Sequence, residues 1–588
     1  MVRTAIWKQP VHPFSSKNRI SSILLAFAGM IVLSFGHPMY ETNDDMIMVS
    51  LLSGQYGQHA HPDGVFLSLP LSELLYVLYR FNIHIPWYSL TLYLAQWIGC
   101  ILGYRMILSL TKGLFHKLLM ILVFFSLYSF IFLRLNFAST SLFLWCMACL
   151  YLAYLNLTRQ PAGWHSVLPG CFLGFSYLIR PDIIFVGVCY SFPIWFSFLL
   201  PNMKKRFVYM IVPLLLFVSL SSGFAHVMHG SDAYKQYDKF NSVRSSFMDT
   251  AMGDFHSGTE EALRKTGWTL DDYRMAKLLW IHDEDIFNSE SFQTFLQKNA
   301  VPYVSLFSLS KGISAIKGTM GYGWLLLCAL FIIMGSNTVA YELPLGKERL
   351  IRRLSVLSFL MIIMGIMVLA CIRFPNRVAI PLYIDLLGLM VLMKPLFTQK
   401  NKGAIAKRMT FVAGLVMILL SLNNYGNLEQ QAYVREINKR HFEDSIRLLQ
   451  QEYRDPLFIH LRINLVADTA NPFKEFGDVQ HYNMVPASWV IRSPYYYDSL
   501  HQYGLSSGKE IVPFSVNNKN AIYIFFESGD YFQFSSFSRY FENHLNTHYA
   551  SLYTNKRLRI EPVLHTTFQD GDGHSQGWVF FQLKKEDK

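Results

Sequence analysis

The feature that most restricts this chain is a series of long apolar stretches separated by short basic turns. They fall at about 20–36, 86–108, 116–133, 137–157, 165–179, 183–200, 207–228, 319–335, 353–372, 378–397 and 409–422. That makes roughly eleven, each near the length that spans a bilayer as a helix. Backbone inside lipid must satisfy its own hydrogen bonds, so stretches of this kind are helical. The turns that alternate with them sort by charge. One set carries Lys112 and Lys117, then Arg159, then Lys204, Lys205 and Arg206, then Lys347, Arg349, Arg352 and Arg353, then Lys400, Lys402, Lys407 and Arg408. The other set holds the stretch around Asp44 and Asp45, Arg134, Arg180-Pro181-Asp182, all of 229–318, and 373–377. The positive-inside rule places the first set in the cytoplasm and the second outside. With an odd helix count, 423–588 also falls outside.

Composition agrees. Hydrophobic residues make up 52% of the 588 residues and charged residues only 16%, which is too apolar for an ordinary soluble protein. The net charge of +12 does not indicate nucleic acid. Regions 229–318 and 423–588 are slightly acidic, so the excess lies in membrane loops. All seven cysteines (Cys100, Cys146, Cys149, Cys171, Cys189, Cys328 and Cys371) lie in apolar stretches, which leaves no disulfide framework and no metal-type cysteine cluster.

The expected fold is mostly α: a polytopic membrane helix bundle with extracytoplasmic surface helices and a C-terminal α/β soluble domain. Residues 1–19 form a basic cytoplasmic N-terminus leading into an uncleaved signal anchor. Residues 20–228 form a first membrane region of about seven helices, including the external loop 37–85. Region 229–318 is a mainly helical extracytoplasmic loop, with Thr269 as a helix cap and an acidic cluster, Asp283 to Asp285, that could bind a cation or a sugar but is read as a solvated surface. Residues 319–422 form a second membrane region of about four helices. Region 423–588 opens with an amphipathic helical pattern at 427–452. Strand-like runs follow at 457–461, 521–526, 557–564 and 578–583, with a helical run near 535–546. The expected localisation is a multi-pass plasma (inner) membrane protein.

Candidate chemistry centres on Glu41-Thr42-Asn43-Asp44-Asp45. Thr42 or Asn43 can cap a helix whose first turn holds both carboxylates, where they suit the helix dipole. The apolar residues that follow predict a helix lying along the membrane surface, and 65–80 predicts a second. Arg134, Arg180, Arg373 and Arg377 all sit at outer helix ends, against the positive-inside trend. A guanidinium fork is suited to paired bonds with phosphate. A lipid-linked phosphate donor held by Arg373, Arg377 and Arg180, with Arg134 nearby, would leave as an anion they stabilise. A carboxylate, Asp44 or Asp45, would take the proton of an acceptor hydroxyl as general base. Asp182, His61 and Tyr56 are candidate acceptor or sugar contacts. The loop histidines, His59 and His61, are not read as metal ligands. No cofactor is assigned, and one divalent cation at the aspartates is left open.

On these residues the chain resembles the GT-C class of integral-membrane glycosyltransferases, which use polyprenyl-phosphate-linked sugars. Asp44-Asp45 stands where that class carries an acidic pair, in the first external loop. Gly54-Gln55-Tyr56 and Pro62 resemble the Gly-x-aromatic and proline turn that follow it. The chain departs from the class in lacking a Trp-Trp-Asp motif and in carrying Ser68-Leu69-Pro70 where some members have Lys-Pro-Pro. The resemblance covers about 20–420 and implies Asp44 as base with Asp45 as its neighbour. The expected partners are a lipid-linked sugar donor, a glycan, lipid or protein acceptor, and membrane lipids, without nucleic acid. Alternatives are a polysaccharide polymerase and a lipid-linked glycan transporter or flippase.

Overall fold

The computed structural model describes residues 16–54, 60–158, 164–195, 203–299, 309–335, 363, 365–366, 375–393, 404–461, 471–473, 483–528, 533–553, 556–569 and 575–587. The chain divides into two compact units. One is helical and comprises Met1–Gly36, Leu90–Ser219 and Leu309–Leu428; the other is mixed and comprises His37–Ser89, Leu220–Ser308 and Glu429–Lys588.

Among the described residues, six helices are long and apolar enough to cross a membrane: Trp87–Leu110, Leu114–Leu133, Phe137–Leu157, Arg206–Met228, Asn376–Met393 and a stretch within Arg408–Glu452. Shorter apolar helices lie at Asn18–Ser34, His165–Ile179 and Met320–Ile333, and Ile183–Ile194 is a further helix. Most of the expected run at 353–372, and with it Cys371, lies outside the described residues. The Phe137–Leu157 helix is the axis of the helical unit. It carries no charge, and nearly every side chain on it is buried. Asn136 caps it, its Oδ1 accepting the Ala138 and Ser139 amides at 2.9 and 3.3 Å. Neighbouring helices pack around it because small residues let them close. A Cβ at Gly187 would lie 2.7 Å from the Trp145 ring, whose indole N–H donates to Ser191 Oγ at 2.8 Å. Cys146 and Cys149 are buried free thiols on the same helix.

The mixed unit is built on a five-stranded sheet in the order Asn483–Val485, Leu457–His460, Ala521–Ser528, Ser575–Asp587, Lys556–Gln569. The first three strands are parallel, with Leu457 opposite both Asn483 and Ala521. The third and fourth strands pair antiparallel, with Tyr523 opposite Phe581, and so do the last two, with Leu583 opposite Ile560. The period of two in a strand sends alternate residues to opposite faces. Ile522, Ile524, Phe526, Trp578 and Phe580 pack under Phe442, Ile446 and Leu449 of the long helix. Tyr523, Phe525, Val579 and Phe581 join a second core with Phe247, Trp268, Phe292 and Phe295. The four expected strands and the 535–546 helix, here Phe534–Tyr549, are present.

Three features differ from the sequence expectation. The stretches 37–85, 229–318 and 423–588 are not separate parts: the first, the second as far as Ser308 and the third from Glu429 share the mixed unit, and the last two share one core. The expected break at 423 falls inside a single helix, Ala404–Glu452. No proline interrupts it, and the pattern changes from apolar to charged without a break in the backbone. The acidic cluster is solvated only in part, with Asp285 exposed and Asp283 not. Asp283 is buried and accepts the Tyr549 hydroxyl at 2.5 Å, Glu284 accepts the Gly508 and Lys509 amides at 2.8 and 3.0 Å, and Asp285 pairs with Lys509 at 3.2 Å.

Candidate functional site

The two aspartates begin the Asn43–Ser53 helix, as expected, and Thr42 is its extended N-cap residue. Thr42 makes no side-chain bond to the helix backbone; its hydroxyl donates to Asp45 Oδ2 at 3.1 Å. The Tyr88 hydroxyl donates to Asp45 Oδ1 at 2.8 Å. Asp45 is fully buried, and donors of this kind make an enclosed carboxylate tolerable. Asp44, the next residue round the helix, is half-buried and accepts the indole N–H of Trp489 at 3.1 Å. Here the structure corrects the sequence reading. Every residue from Asp45 to Ser53 is buried, so protein covers the helix on all sides where a surface helix was expected to meet lipid. Met46 to Leu52 has no polar face, and a helix apolar all round belongs in an interior. The second expected surface helix, Leu69–Phe81, is amphipathic and exposes Leu74, Val77 and Phe81.

Aromatic groups surround the carboxylates. The Trp489 ring meets Phe66 edge to face at 4.8 Å, and its carbonyl accepts the Tyr237 hydroxyl at 2.9 Å. Trp489 sits in a turn between Ser488 and Arg492, whose φ values are +68° and +70°; Val65, beside Phe66, has φ +57°. Left-handed backbone in such residues costs on the order of 1–3 kcal/mol each and tends to gather where function demands a geometry. Arg244 is also buried, with Nε and Nη2 both donating to Asn241 Oδ1 at 3.1 and 2.6 Å. Burial pushes its guanidinium below the ordinary value, and the charge of Asp44 is among those opposing that shift.

A second cluster adjoins the C-terminal end of the same helix, where the His61 amide donates to the Leu51 carbonyl at 2.8 Å. His61 Nδ1 accepts the Asp63 amide at 3.2 Å. That leaves Nε2 to carry the proton of the neutral ring, facing the Tyr234 hydroxyl at 3.3 Å. Burial lowers the pKa of His61, against the nearby charges of Asp63 and Asp498. The opposite holds for His229. Its Nε2 lies 3.1 Å from Asp63 Oδ2, and that hydrogen bond raises its pKa despite burial. A cleft of about 430 Å³ opens beside Tyr237, lined also by Lys239, Phe240, Glu290, Arg492 and Tyr497.

The other named residues fall in the helical unit. The Arg180 guanidinium lies over the Phe137 ring at 5.1 Å, and the neighbouring Ser141 and Ser176 hydroxyls are 3.0 Å apart. The Trp164–Ile179 helix is therefore antiparallel to Phe137–Leu157 and delivers Arg180 to its beginning. Tyr322 meets Phe130, near the same end, at 5.6 Å, and the adjacent Thr319 bonds the Tyr383 hydroxyl at 2.8 Å. Further along, Gly388 abuts Leu150. The Asn376–Met393 helix thus starts at that end, with Arg377 in its first turn. Arg134 is there too, buried, with Nη2 donating to the Leu428 carbonyl at 2.9 Å. Three of the four arginines consequently share one end of the helical unit, with Asp182 exposed beside Arg180. Arg373, Tyr56 and His59 lie outside the described residues.

Sequence reasoning missed Tyr88, Trp489, Asp63, His229 and Arg244. None carries a local motif, and each reaches the site from a distant stretch of chain. Comparison of the chain with protein-family models, curated proteins and solved structures gives no match.

Proposed function

We propose that this chain is an integral-membrane glycosyltransferase of the GT-C kind. In this reading it moves a sugar from a polyprenyl-phosphate-linked donor to an acceptor hydroxyl on the extracytoplasmic face of the plasma (inner) membrane. The observation that carries the reading is the difference between the two carboxylates. Asp45 is enclosed and fixed by Tyr88 and Thr42, whereas Asp44 keeps partial exposure among aromatic side chains.

Asp44 is accordingly assigned as the general base. It takes the proton of the acceptor hydroxyl as that oxygen attacks the anomeric carbon, while the bond from that carbon to the phosphate oxygen breaks and the polyprenyl phosphate leaves as an anion. Asp45 positions the helix that presents Asp44. Arg180, Arg373 and Arg377 are assigned to the phosphate. Arg134 assists at the same helix end, with one nitrogen committed to a main-chain carbonyl. Phe66 and His61, both partly exposed, are assigned to offer an aromatic face and a hydrogen-bonding ring to an acceptor sugar, with Trp489 buried behind Phe66, and no cation is assigned.

The test is transfer of labelled sugar from a polyprenyl-phosphate donor in membranes. Asp44→Asn is expected to lower turnover by about 10²–10⁴ with expression intact; undiminished transfer in both Asp44→Asn and Asp45→Asn sinks the assignment. Arg377→Ala is expected to raise KM for the donor.

A lipid-linked glycan transporter is the second reading. It is favoured by Asp385, which is fully buried midway along the Asn376–Met393 helix with no partner for either carboxylate oxygen among the described residues. Intramembrane acids of this kind often serve transport. Glycan export that is lost in Asp385→Asn and untouched in Asp44→Asn would decide for that reading.

A further inference from the structure

Two histidines and an aspartate converge in the mixed unit, apart from the residues assigned above. His544 and His548 are one turn apart on the Phe534–Tyr549 helix, a spacing that puts both rings on one face. Asp272 faces them from the Leu270–Lys277 helix, where it closes a capping box with Thr269. One Asp272 oxygen accepts the Thr269 amide at 2.7 Å. The other, Oδ1, lies 2.6 Å from His544 Nδ1 and 2.8 Å from His548 Nε2. All three donor atoms lie within 4.8 Å of one another.

We infer that Asp272, His544 and His548 form a binding site for a divalent metal of the zinc class. Two imidazoles and one carboxylate are a ligand set that suits zinc and its transition-metal neighbours rather than calcium or magnesium. Ligand bonds of about 2.0–2.2 Å in a tetrahedron set donor atoms about 3.3 Å apart. The two contacts to Asp272 need to open by only about 0.5–0.7 Å to reach that separation, within reach of side-chain torsions. Around the donors stands the support such a site needs. The carboxylate is oriented by its own backbone bond, and the His544 ring stacks between Phe287 and Phe541, at 5.9 and 6.5 Å. The carboxylate bond is an outer contact of the kind that fixes ligand orientation, and the stacking restrains the ring. His544 and Asp272 are closed off from solvent, whereas the His548 side chain is 24% exposed, so the fourth coordination position is reached from water. A bound ion would tie a helix of the 229–318 stretch to one of the C-terminal stretch, stabilising their shared core by mass action.

The experiment uses the untagged full-length chain in detergent, stripped with chelator and titrated with zinc chloride. Uptake of about one ion per chain and a higher melting temperature with zinc are expected. His548→Ala, altered at the most exposed ligand so that folding survives, and Asp272→Asn, which keeps the side-chain shape, should each weaken zinc binding by about tenfold or more and lose the melting shift. A stripped protein that takes up no zinc, or a His548→Ala chain that binds it as well as the unaltered one, would overturn the site and leave a purely hydrogen-bonded triad.

Discussion

Asp44 and Asp45 are chemically identical neighbours, and their surroundings separate them. Hydroxyl donors and complete burial immobilise Asp45; Asp44 accepts the Trp489 indole N–H but keeps the partial exposure that lets it meet a substrate. The same logic distinguishes His61 from His229. Burial keeps His61 neutral, while its bond to Asp63 makes His229 easier to protonate. The sign of the resulting pH dependence follows from the raised value. The Asp63–His229 pair contributes fully below the ordinary histidine pKa of about 6.5, and its contribution is lost as pH rises through the higher folded value. Between about pH 6 and pH 8, the unaltered protein should therefore lose more thermal stability than Asp63→Asn does. Asp238 also raises His229, so some residual slope is expected in the variant. Parallel melting curves for the two proteins would contradict the pairing.

At the scale of the element, the Phe137–Leu157 helix illustrates how an apolar run becomes a packed axis. Asn136 starts it, and the small residues facing it let other helices approach. Gly187 is such a point, since the Trp145 indole occupies the space that a Cβ would need. Gly187→Val should overpack the contact and cost about 1–3 kcal/mol, read as a lower melting temperature in detergent. Unchanged melting would mean that the two helices are free to move apart. The Asn43–Ser53 helix teaches the converse. Its capping residues and acidic first turn were legible, but its burial was not, because an apolar run facing lipid and one facing protein read alike.

At the scale of the molecule, the mixed unit draws three distant stretches into one body. Phe247 from the second stretch is fully buried against Trp268, Phe292 and Phe295, in the same core as Tyr523 and Phe581 of the sheet. Phe247→Ala should cost about 3–5 kcal/mol. Because the core is shared, limited proteolysis should then open 220–308 and 429–588 together. Cleavage confined to the second stretch would show that the two parts are stable independently.

The apolar runs and the strands at 457–461, 521–526, 557–564 and 578–583 were readable because helix and strand periodicities are local properties. So were the helix starts at Thr42 and Thr269 and the clustering of arginines at helix ends. What the tertiary structure alone decided is which side chains share a space: Tyr88 and Trp489 on the two aspartates, His229 on Asp63, and His544 and His548 on Asp272. Each of those contacts joins residues far apart in sequence, and nothing in a local pattern records the packing of hydrophobic faces that brings them together.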